Sequence, residues 1–309
     1  MKKFSFKDGI IGATITPFDN DFNVDEVSLR KLVEYNLKGS RVKGLVCNAF
    51  AGETFYLTSE ERKRIIEIMV DQVDGRVPVV AGIWAEGIKD VIRETEIAEE
   101  AGADVSLLFQ PFSFARGVDQ TPEVSVRFHK IIAESTNLPI IAFQTRVNSG
   151  THVDSETLAE ISKIDKVIGI KYAQFDMEKF NADVKAVKEV GHQAEILTGI
   201  DTVLAPSMYP SDGGLLGLTS ATPNFLSELM DLVKAGDMKA AMDLEAKYYD
   251  LVSSIYVNPK TDIPARLKQI LVELGIIETS HVREPFNQLS EEEKSKFSRL
   301  VKELNKEEL

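Results

Sequence analysis

The stretch Val167–Val190 has the sequence VIGIKYAQFDMEKFNADVKAVKEV and shows the pattern that decides the fold. Its first part, Val167–Tyr172, is a short apolar run that predicts a buried strand, and the apolar spacing of Met177–Val190 predicts an amphipathic helix. The same pair of patterns occurs eight times along the chain. Strands that alternate with helices form parallel sheets, and eight such units close a barrel. The sequence therefore predicts an α/β fold, a (β/α)8 TIM barrel.

The other seven units follow the same order. Their predicted strands are Ile10–Thr16, Val42–Asn48, Val77–Trp84, Val105–Gln110, Pro139–Thr145, Glu195–Gly199 and Gly214–Thr219. Their predicted helices are Val24–Leu37, Ser59–Val73, Ile88–Ala101, Glu123–Glu134, Ser155–Ile164, the short Thr202–Met208 and Pro223–Ala235. Gly102, Gly191 and Gly236 stand where helices should end. The Gly213-Gly214 pair precedes the eighth strand, and we interpret it as a tight turn.

Three further helices are predicted after the eighth unit, at Met238–Tyr256, Ile263–Leu274 and Ser290–Leu304. No linker rich in proline, glycine or serine separates them from the units before. We therefore expect residues 1–236 to form the barrel. Residues 237–309 should pack on it as a C-terminal helical extension, within one structural unit.

The composition excludes several classes of protein. The chain has 309 residues and a formal net charge of −13, which argues against binding to nucleic acids or anionic membranes. No stretch approaches about 20 apolar residues, so we expect no membrane span. With Cys47 as the single cysteine, we expect no disulfide, a buried thiol and a cytoplasmic location. The histidines show no ligand spacing, so we expect no metal and no cofactor; they are His129, His152, His192 and His281.

Lys171 is the residue that points to chemistry. In such a barrel the reaction takes place at the carboxyl ends of the strands, where Lys171 stands. A desolvated ammonium has a lowered pKa, and the neutral amine attacks a carbonyl to form a Schiff base. The alternative is a strand-end lysine that extends into solvent. Period-2 alternation predicts one face with Val167, Gly169, Lys171 and Ala173, and the other with Ile168, Ile170 and Tyr172.

Several local motifs together resemble the dihydrodipicolinate synthase / N-acetylneuraminate lyase family, from Gly9 to the C-terminal helices. They are Gly12-Ala13-Thr14-Ile15-Thr16-Pro17-Phe18, Ala51-Gly52-Glu53-Thr54 followed by Leu57-Thr58-Ser59-Glu60-Glu61-Arg62, Pro78-Val79-Val80-Ala81-Gly82, and Gly169-Ile170-Lys171. The resemblance implies an eight-stranded α/β barrel with C-terminal helices, usually a tetramer. It also implies a lysine that forms a Schiff base with pyruvate or another 2-oxo acid. Lys171 matches that lysine.

The chain departs from the family's pattern at three places. The stretch Gly-Ser/Thr-Ser/Thr-Gly-Glu, which binds the 2-oxo acid's carboxylate, is Ala49-Phe50-Ala51-Gly52-Glu53 here, which leaves the backbone donors of Phe50 and Ala51. The tyrosine that passes protons to and from the imine is replaced by Phe143, in Phe143-Gln144-Thr145-Arg146-Val147-Asn148. The Pro-Tyr-Tyr that lends a relay tyrosine across a subunit contact is Pro111-Phe112-Ser113. These departures argue against ordinary dihydrodipicolinate synthase and sialic acid lyase activities.

Other residues near these positions are candidates for the site. Loss of acid–base assistance slows a reaction by about 10²–10⁴-fold, so a polar neighbour that positions a water, or a carboxylate of the substrate, would have to substitute. The candidates are Gln110, Ser113, Gln144, Thr145 and Asn148. Four phenylalanines either form a pocket for an aromatic or bulky aldehyde or pack under loops; they are Phe50, Phe112, Phe114 and Phe143. Arg146 either binds a substrate carboxylate or is solvated, and Glu53 is expected to brace its loop.

We therefore hypothesise a Schiff-base lyase, an aldolase or a dehydratase, that acts on a 2-oxo acid as a homo-oligomer, a tetramer or dimer. Lys171 is the predicted Schiff-base residue, and Phe143 holds the position of the family tyrosine. The predicted substrate-binding residues are Phe50, Ala51, Ser113, Gln144, Arg146 and Asn148. A second hypothesis is a catalytically silent member that binds a 2-oxo acid or a related metabolite. A third, a metal-dependent barrel enzyme, is disfavoured by the scattered histidines.

Overall fold

The computed structural model describes residues 4–115, 121–173, 175–191 and 194–304. Eight parallel strands follow one another around a closed barrel, which confirms the predicted TIM barrel. The strands are β1 (Ile10–Ala13), β2 (Val42–Cys47), β3 (Val79–Ile83), β4 (Val105–Leu108), β5 (Ile140–Gln144), β6 (Val167–Tyr172), β7 (Glu195–Thr198) and β8 (Gly213–Leu216).

A helix follows each strand, and more helices follow the last one. The barrel helices are α1 (Glu26–Asn36), α2 (Ser59–Val73), α3 (Ile88–Glu100), α4 (Pro122–Ser135), α5 (Ser155–Ser162), α6 (Met177–Glu189), α7 (Leu204–Met208) and α8 (Pro223–Ala235). The extension contains α9 (Met238–Lys247), α10 (Tyr249–Ile255), α11 (Ile263–Glu273) and α12 (Glu291–Glu303). Gly102, Gly191 and Gly236 end helices with positive φ, as predicted. No helix in the described ranges has the length and apolar character needed to cross a membrane.

The predicted tight turn at Gly213-Gly214 is wrong, because both glycines belong to β8. The N-terminal segment passes close over the start of this strand. A Cβ atom placed on Gly213 would lie 2.5 Å from the carbonyl oxygen of Phe6 and 2.8 Å from that of Gly9. Glycine is therefore needed here for a close approach of two backbones.

The predicted helix Met238–Tyr256 is divided into α9 and α10 at Tyr248. The Tyr248 ring is buried and stacks on Phe225 of α8, with ring centres 3.8 Å apart and planes inclined by 18°. Apolar periodicity did not reveal this break, because both halves bury side chains in the same core.

The predicted faces of β6 are wrong at its first two residues. The pairing with β5 is irregular there and skips Ile168. Val167 consequently packs between the strands and the helices, whereas Ile168 packs against the barrel interior. A bulge of one residue reverses a period-2 pattern. Beyond the bulge, Lys171 faces the barrel mouth and Tyr172 packs in the outer layer, as predicted.

Apolar side chains fill three regions of the molecule. One lies inside the barrel and includes Ile11, Leu107 and Leu197. The second lies between the strands and the surrounding helices. The third joins β1 and α8 to the C-terminal helices, where Ile10 and Phe297 belong to the same cluster. The extension therefore packs on the side of the barrel that β1 and α8 form.

A buried ion pair connects the loop after β2 to the extension. The Lys268 ammonium in α11 donates a hydrogen bond of 2.5 Å to Glu53, and both side chains are fully buried. Lys268 also donates to the His281 carbonyl at 2.7 Å, and the Arg283 amide donates to Glu53 at 3.1 Å. Glu53 thus fixes the loop that contains Phe50 onto the C-terminal helices.

Glu53→Gln is expected to lower the free energy of unfolding by about 3–5 kcal/mol, because it leaves the Lys268 charge buried without its counter-ion. Urea unfolding followed by far-UV circular dichroism measures this change. Glu160→Gln is the matched control, since Glu160 pairs with Lys163 at the surface, where an ion pair contributes little. Equal unfolding midpoints for the two variants would contradict the bracing role of Glu53.

Candidate active site

A cavity of about 250 Å³ opens at the carboxyl ends of the strands. Its walls come from the loops that follow β2, β4, β5, β6, β7 and β8, and from the end of α10. Most of the lining is apolar, and a few charged side chains enter it. They are Arg146, Lys171, Asp201 and Lys260. Catalytic residues of TIM barrels occupy this end, so the cavity is the candidate active site.

Lys171 extends from β6 into this cavity. Its Nζ atom lies 3.9 Å from the centre of the Phe143 ring on the neighbouring strand β5. Burial lowers the pKa of Lys171 to about 8, and the negative charge of Asp201 limits the decrease. A large fraction of the lysine is therefore a neutral amine near pH 8, the form that attacks a carbonyl.

The structure contains a second buried lysine with a different environment. Burial also lowers the pKa of Lys268 to about 8, against the charge of Glu53. Lys268, however, is held by Glu53 and by the His281 carbonyl and does not line the cavity. Of the two lysines, only Lys171 has a cavity beside its amine.

Gly199 makes room for the Lys171 side chain. A Cβ atom placed on this residue, directly after β7, would lie 2.5 Å from Lys171 Cε and 2.5 Å from the Tyr172 carbonyl oxygen. Any larger residue would displace the lysine or the strand. The chain therefore needs glycine at this point to extend a lysine across the barrel mouth.

Two groups after β7 and α10 face the same part of the cavity. The Asp201 carboxylate accepts a hydrogen bond of 2.9 Å from the Leu218 amide, and burial raises its pKa. The Tyr256 hydroxyl is buried beside it. The two groups interact, but the hydroxyl forms no hydrogen bond of ordinary geometry with a residue of the described chain.

The loop after β2 provides backbone donors. Phe50 and Ala51 line the cavity, and their amides donate no hydrogen bond within the described chain. The loop is shaped by Asn48 and Glu53, whose φ angles are 53° and 56°. In the same loop, the Gly52 carbonyl accepts a hydrogen bond of 2.8 Å from the Thr16 hydroxyl. Two free amides of this kind can bind a carboxylate.

The loop after β5 contains other candidates. Arg146 lines the cavity and lies over the Phe175 ring, 5.4 Å from its centre. Thr145 lines it too, and its hydroxyl is hydrogen-bonded with those of Ser149 and Thr151. The Asn148 side chain lies outside the part of the structure that is described, so its predicted contact with substrate stays a prediction.

Two of the predicted substrate-binding residues lie away from the cavity. Gln144 is 1% exposed and is bonded to Val153 and to Asp183, on the helix side of β5. It follows Phe143 on the strand, so when Phe143 faces the cavity, Gln144 faces away. Ser113 is exposed, and its amide donates to Glu86 at 2.8 Å. Neither residue lines the cavity.

The four phenylalanines divide into two groups. Phe50, Phe112 and Phe143 line the cavity, as does Phe109, which meets Phe143 edge to face at 4.9 Å. Phe114 instead packs against Phe128 of α4, with ring centres 5.9 Å apart. Gln110 also lines the cavity, but its amide is bonded to Thr151 and Ser125. The apolar walls thus come mainly from aromatic rings.

Sequence reasoning missed Gly199, Asp201, Tyr256 and Lys260. Gly199 and Asp201 follow a predicted barrel strand, which is a position where site residues are expected. Tyr256 and Lys260 come from the C-terminal extension, and their sequence carries no signal of proximity to Lys171. No group of three or more potential metal ligands occurs among the residues that the structure describes.

The chain is similar to proteins of one known family. A profile of the Dihydrodipicolinate synthetase family matches residues 6–304. The 4-hydroxy-tetrahydrodipicolinate synthase of Syntrophus aciditrophicus is 32% identical over 294 residues, 95% of this chain and 97% of that one. The N-acetylneuraminate lyase of Clostridium perfringens is 25% identical over 299 residues, 96% and 98% of the two chains. A crystal structure of dihydrodipicolinate synthase from Acinetobacter baumannii complexed with pyruvate superposes with a TM-score of 0.86 at 25% identity, and the match covers 99% of this chain and 100% of that chain.

The lowered pKa of Lys171 is testable by chemical modification. Carbamoylation by cyanate needs a neutral amine, so the rate at Lys171 should rise to a plateau with a midpoint near pH 8. Lys239 is an internal control, because its hydrogen bond with Asp243 raises its pKa. Peptide mass spectrometry follows both sites in one sample. Parallel pH profiles for the two lysines would contradict the desolvated environment of Lys171.

Proposed function

The chain belongs to the Dihydrodipicolinate synthetase family of lyases, and from this premise we propose that it forms a Schiff base between Lys171 and a 2-oxo acid. The proposed reaction is an aldol cleavage or a dehydration, catalysed by a homo-oligomer, a dimer or a tetramer. One observation carries the proposal: a lysine amine, depressed in pKa by burial, faces a cavity at the carboxyl end of a barrel strand. The Acinetobacter baumannii relative complexed with pyruvate supports pyruvate as the first acid to test.

The arrangement of the loops supports an orientation for the acid. The amides of Phe50 and Ala51 bind its carboxylate, which brings the adjacent ketone toward Lys171. The Nζ atom attacks the ketone carbon, water leaves, and an iminium forms. The iminium withdraws electrons from C3, so that a bond to C3 or a neighbouring carbon–oxygen bond can break. The hydroxyls that the family uses for the carboxylate are replaced here by backbone donors alone.

The walls of the cavity support a bulky second half of the substrate. Phe50, Phe109 and Phe112 offer apolar surface, which suits an aromatic or branched aldehyde. At the rim, burial lowers the pKa of Lys260, and the nearby positive charge of Arg146 lowers it further. Both cations line the cavity. They suit a substrate with a second anionic group near the aldehyde end.

Borohydride trapping tests the Schiff base directly. The protein is incubated separately with pyruvate, with longer 2-oxo acids and with 2-oxo acids that carry a second carboxylate. After reduction, each acid that forms a Schiff base should increase the mass of the protein by that of its reduced adduct. We expect the adduct on Lys171 by peptide mass spectrometry and none in Lys171→Ala. Lys185→Ala, which changes an exposed lysine, is the control. Light scattering on the same samples measures the oligomeric state.

The same experiment distinguishes the silent binder, which the replacement of the family tyrosine by Phe143 favours. In that case pyruvate would raise the thermal midpoint of the protein, whereas reduction would leave its mass unchanged. An adduct on a lysine other than Lys171, or an undiminished adduct in Lys171→Ala, would also overturn the proposed function. An adduct confined to Lys171 would establish imine formation and favour the lyase over the silent binder.

A further inference from the structure

We propose that the Tyr256 hydroxyl carries out the proton transfers that the family assigns to the tyrosine replaced here by Phe143. The inference rests on the proposed function, because it concerns the protons of the imine that Lys171 forms. Imine formation and carbon–carbon cleavage both move protons at atoms bonded to the former ketone. The Phe143 ring lies next to Lys171 Nζ but has no proton to give. Another group must therefore supply the assistance, which is worth about 10²–10⁴ in rate.

Few groups near Lys171 can exchange a proton. Among the described residues that line the cavity, those with titratable side chains are Arg146, Lys171, Asp201, Tyr256 and Lys260. An arginine guanidinium does not act as a proton donor in proteins. Lys171 is the nucleophile, and Lys260 lies at the rim. Asp201 and Tyr256 remain as the acid–base groups of the interior.

Tyr256 and Asp201 border one small space in the cavity that Lys171 also lines. A Cβ atom placed on Gly217 would lie 3.3 Å from the Tyr256 hydroxyl oxygen and 3.7 Å from Asp201 Oδ2. Both oxygens thus lie near the same point, which glycine leaves open. Asp201 in turn is close enough to Lys171 for each charge to influence the other's pKa. Asp201 therefore has both Tyr256 and Lys171 as neighbours.

The Tyr256 hydroxyl is buried, and its polar neighbour is the Asp201 carboxylate. The residue is 9% exposed, and the two groups do not form a hydrogen bond of ordinary geometry. The hydroxyl lines the cavity, so it retains the capacity to bond to a substrate oxygen there.

The surroundings of Tyr256 keep its hydroxyl protonated at rest and make its phenolate a strong base. Burial raises its pKa well above the usual value, and the charge of Asp201 adds to the increase. The phenol therefore holds its proton in the resting protein. When it gives up the proton to substrate, the Lys171 nitrogen becomes a positively charged iminium in the same step. The negative phenolate and the positive iminium then appear as a pair, which lowers the cost of both.

The proton balance of the reaction closes with one tyrosine. Attack of Lys171 on the ketone and transfer of an amine proton to oxygen give a carbinolamine. Tyr256 donates its proton to the carbinolamine hydroxyl, the carbon–oxygen bond breaks, water leaves, and the nitrogen lone pair forms the C=N bond. The phenolate then takes a proton from C3 as the enamine forms. With a 4-hydroxy-2-oxo acid it takes the C4 hydroxyl proton instead, while the C3–C4 bond breaks and the aldehyde leaves.

The hydroxyl cluster after β5 is the alternative that the structure disfavours. Thr145, Ser149 and Thr151 are hydrogen-bonded to one another at distances from 2.7 to 3.3 Å. An aliphatic hydroxyl is also a much weaker acid than a phenol. The cluster can position a water molecule, whereas Tyr256 can both give and regain a proton.

Deuterium exchange into the methyl group of pyruvate tests the inference without the natural substrate. Exchange needs the imine and the removal of a C3 proton, and ¹H NMR in D₂O follows it. Tyr256→Phe should slow the exchange by about 10²–10⁴-fold, because it removes only the hydroxyl. Tyr172→Phe is the matched control: its hydroxyl is also buried and unpartnered among described residues, but it lies outside the cavity.

Rescue distinguishes a proton-transfer role from a structural one. Phe143→Tyr restores a phenol beside Lys171, so the double variant Phe143→Tyr/Tyr256→Phe should regain much of the lost exchange rate. Asp201→Asn, which keeps the shape of the side chain, should also slow exchange. Exchange by Tyr256→Phe at the wild-type rate would overturn the inference, and so would a loss that Phe143→Tyr fails to restore.

The wild-type protein separates this inference from the proposed function. If wild type neither traps pyruvate on Lys171 nor exchanges its methyl protons, the proposed Schiff-base function fails. If wild type does both and Tyr256→Phe does so equally fast, only the role of Tyr256 fails. The thermal midpoint of each variant confirms that the rates compare folded proteins.

Discussion

The constraint on which the site depends is the burial of one amine in an apolar barrel mouth. An ammonium loses hydration there, and in return Lys171 lies against the ring of Phe143 and near the carboxylate of Asp201. This environment lowers its pKa to about 8 without neutralising it in an ion pair. Lys268 shows the alternative outcome, because its amine is equally buried but bound to Glu53. The buried Lys268 therefore connects parts of the fold, whereas the buried Lys171 remains available for chemistry in the cavity.

The C-terminal helices complete the site rather than merely cover the barrel. Through Lys268 they fix the loop whose residues Phe50 and Ala51 line the cavity, and at the end of α10 they supply Tyr256. A barrel without this extension would keep Lys171 but lose the anchor of this loop. The replacement of a strand tyrosine by Phe143 is then compatible with chemistry, since a phenol can reach the cavity from another element.

The sequence predicts the barrel because strand and helix periodicities are local properties, and the glycines at helix ends reinforce them. It predicts Lys171 for the same reason, as a charged residue at the end of an apolar strand. The bulge at Ile168 and the outward orientation of Gln144 depend on pairing and strand direction, which composition does not reveal. Tyr256 directly follows α10, more than eighty positions from Lys171, so only the packing of the extension brings both residues to one cavity.

A crystal structure of the protein soaked with pyruvate would show whether Lys171 forms the Schiff base. We expect continuous electron density from Lys171 Nζ to C2 of the acid, with the carboxylate on the amides of Phe50 and Ala51. We also expect the Tyr256 hydroxyl to lie within hydrogen-bond distance of a polar atom bonded to C2. Pyruvate bound elsewhere, or lying in the cavity with the Lys171 amine free, would contradict the proposed Schiff base.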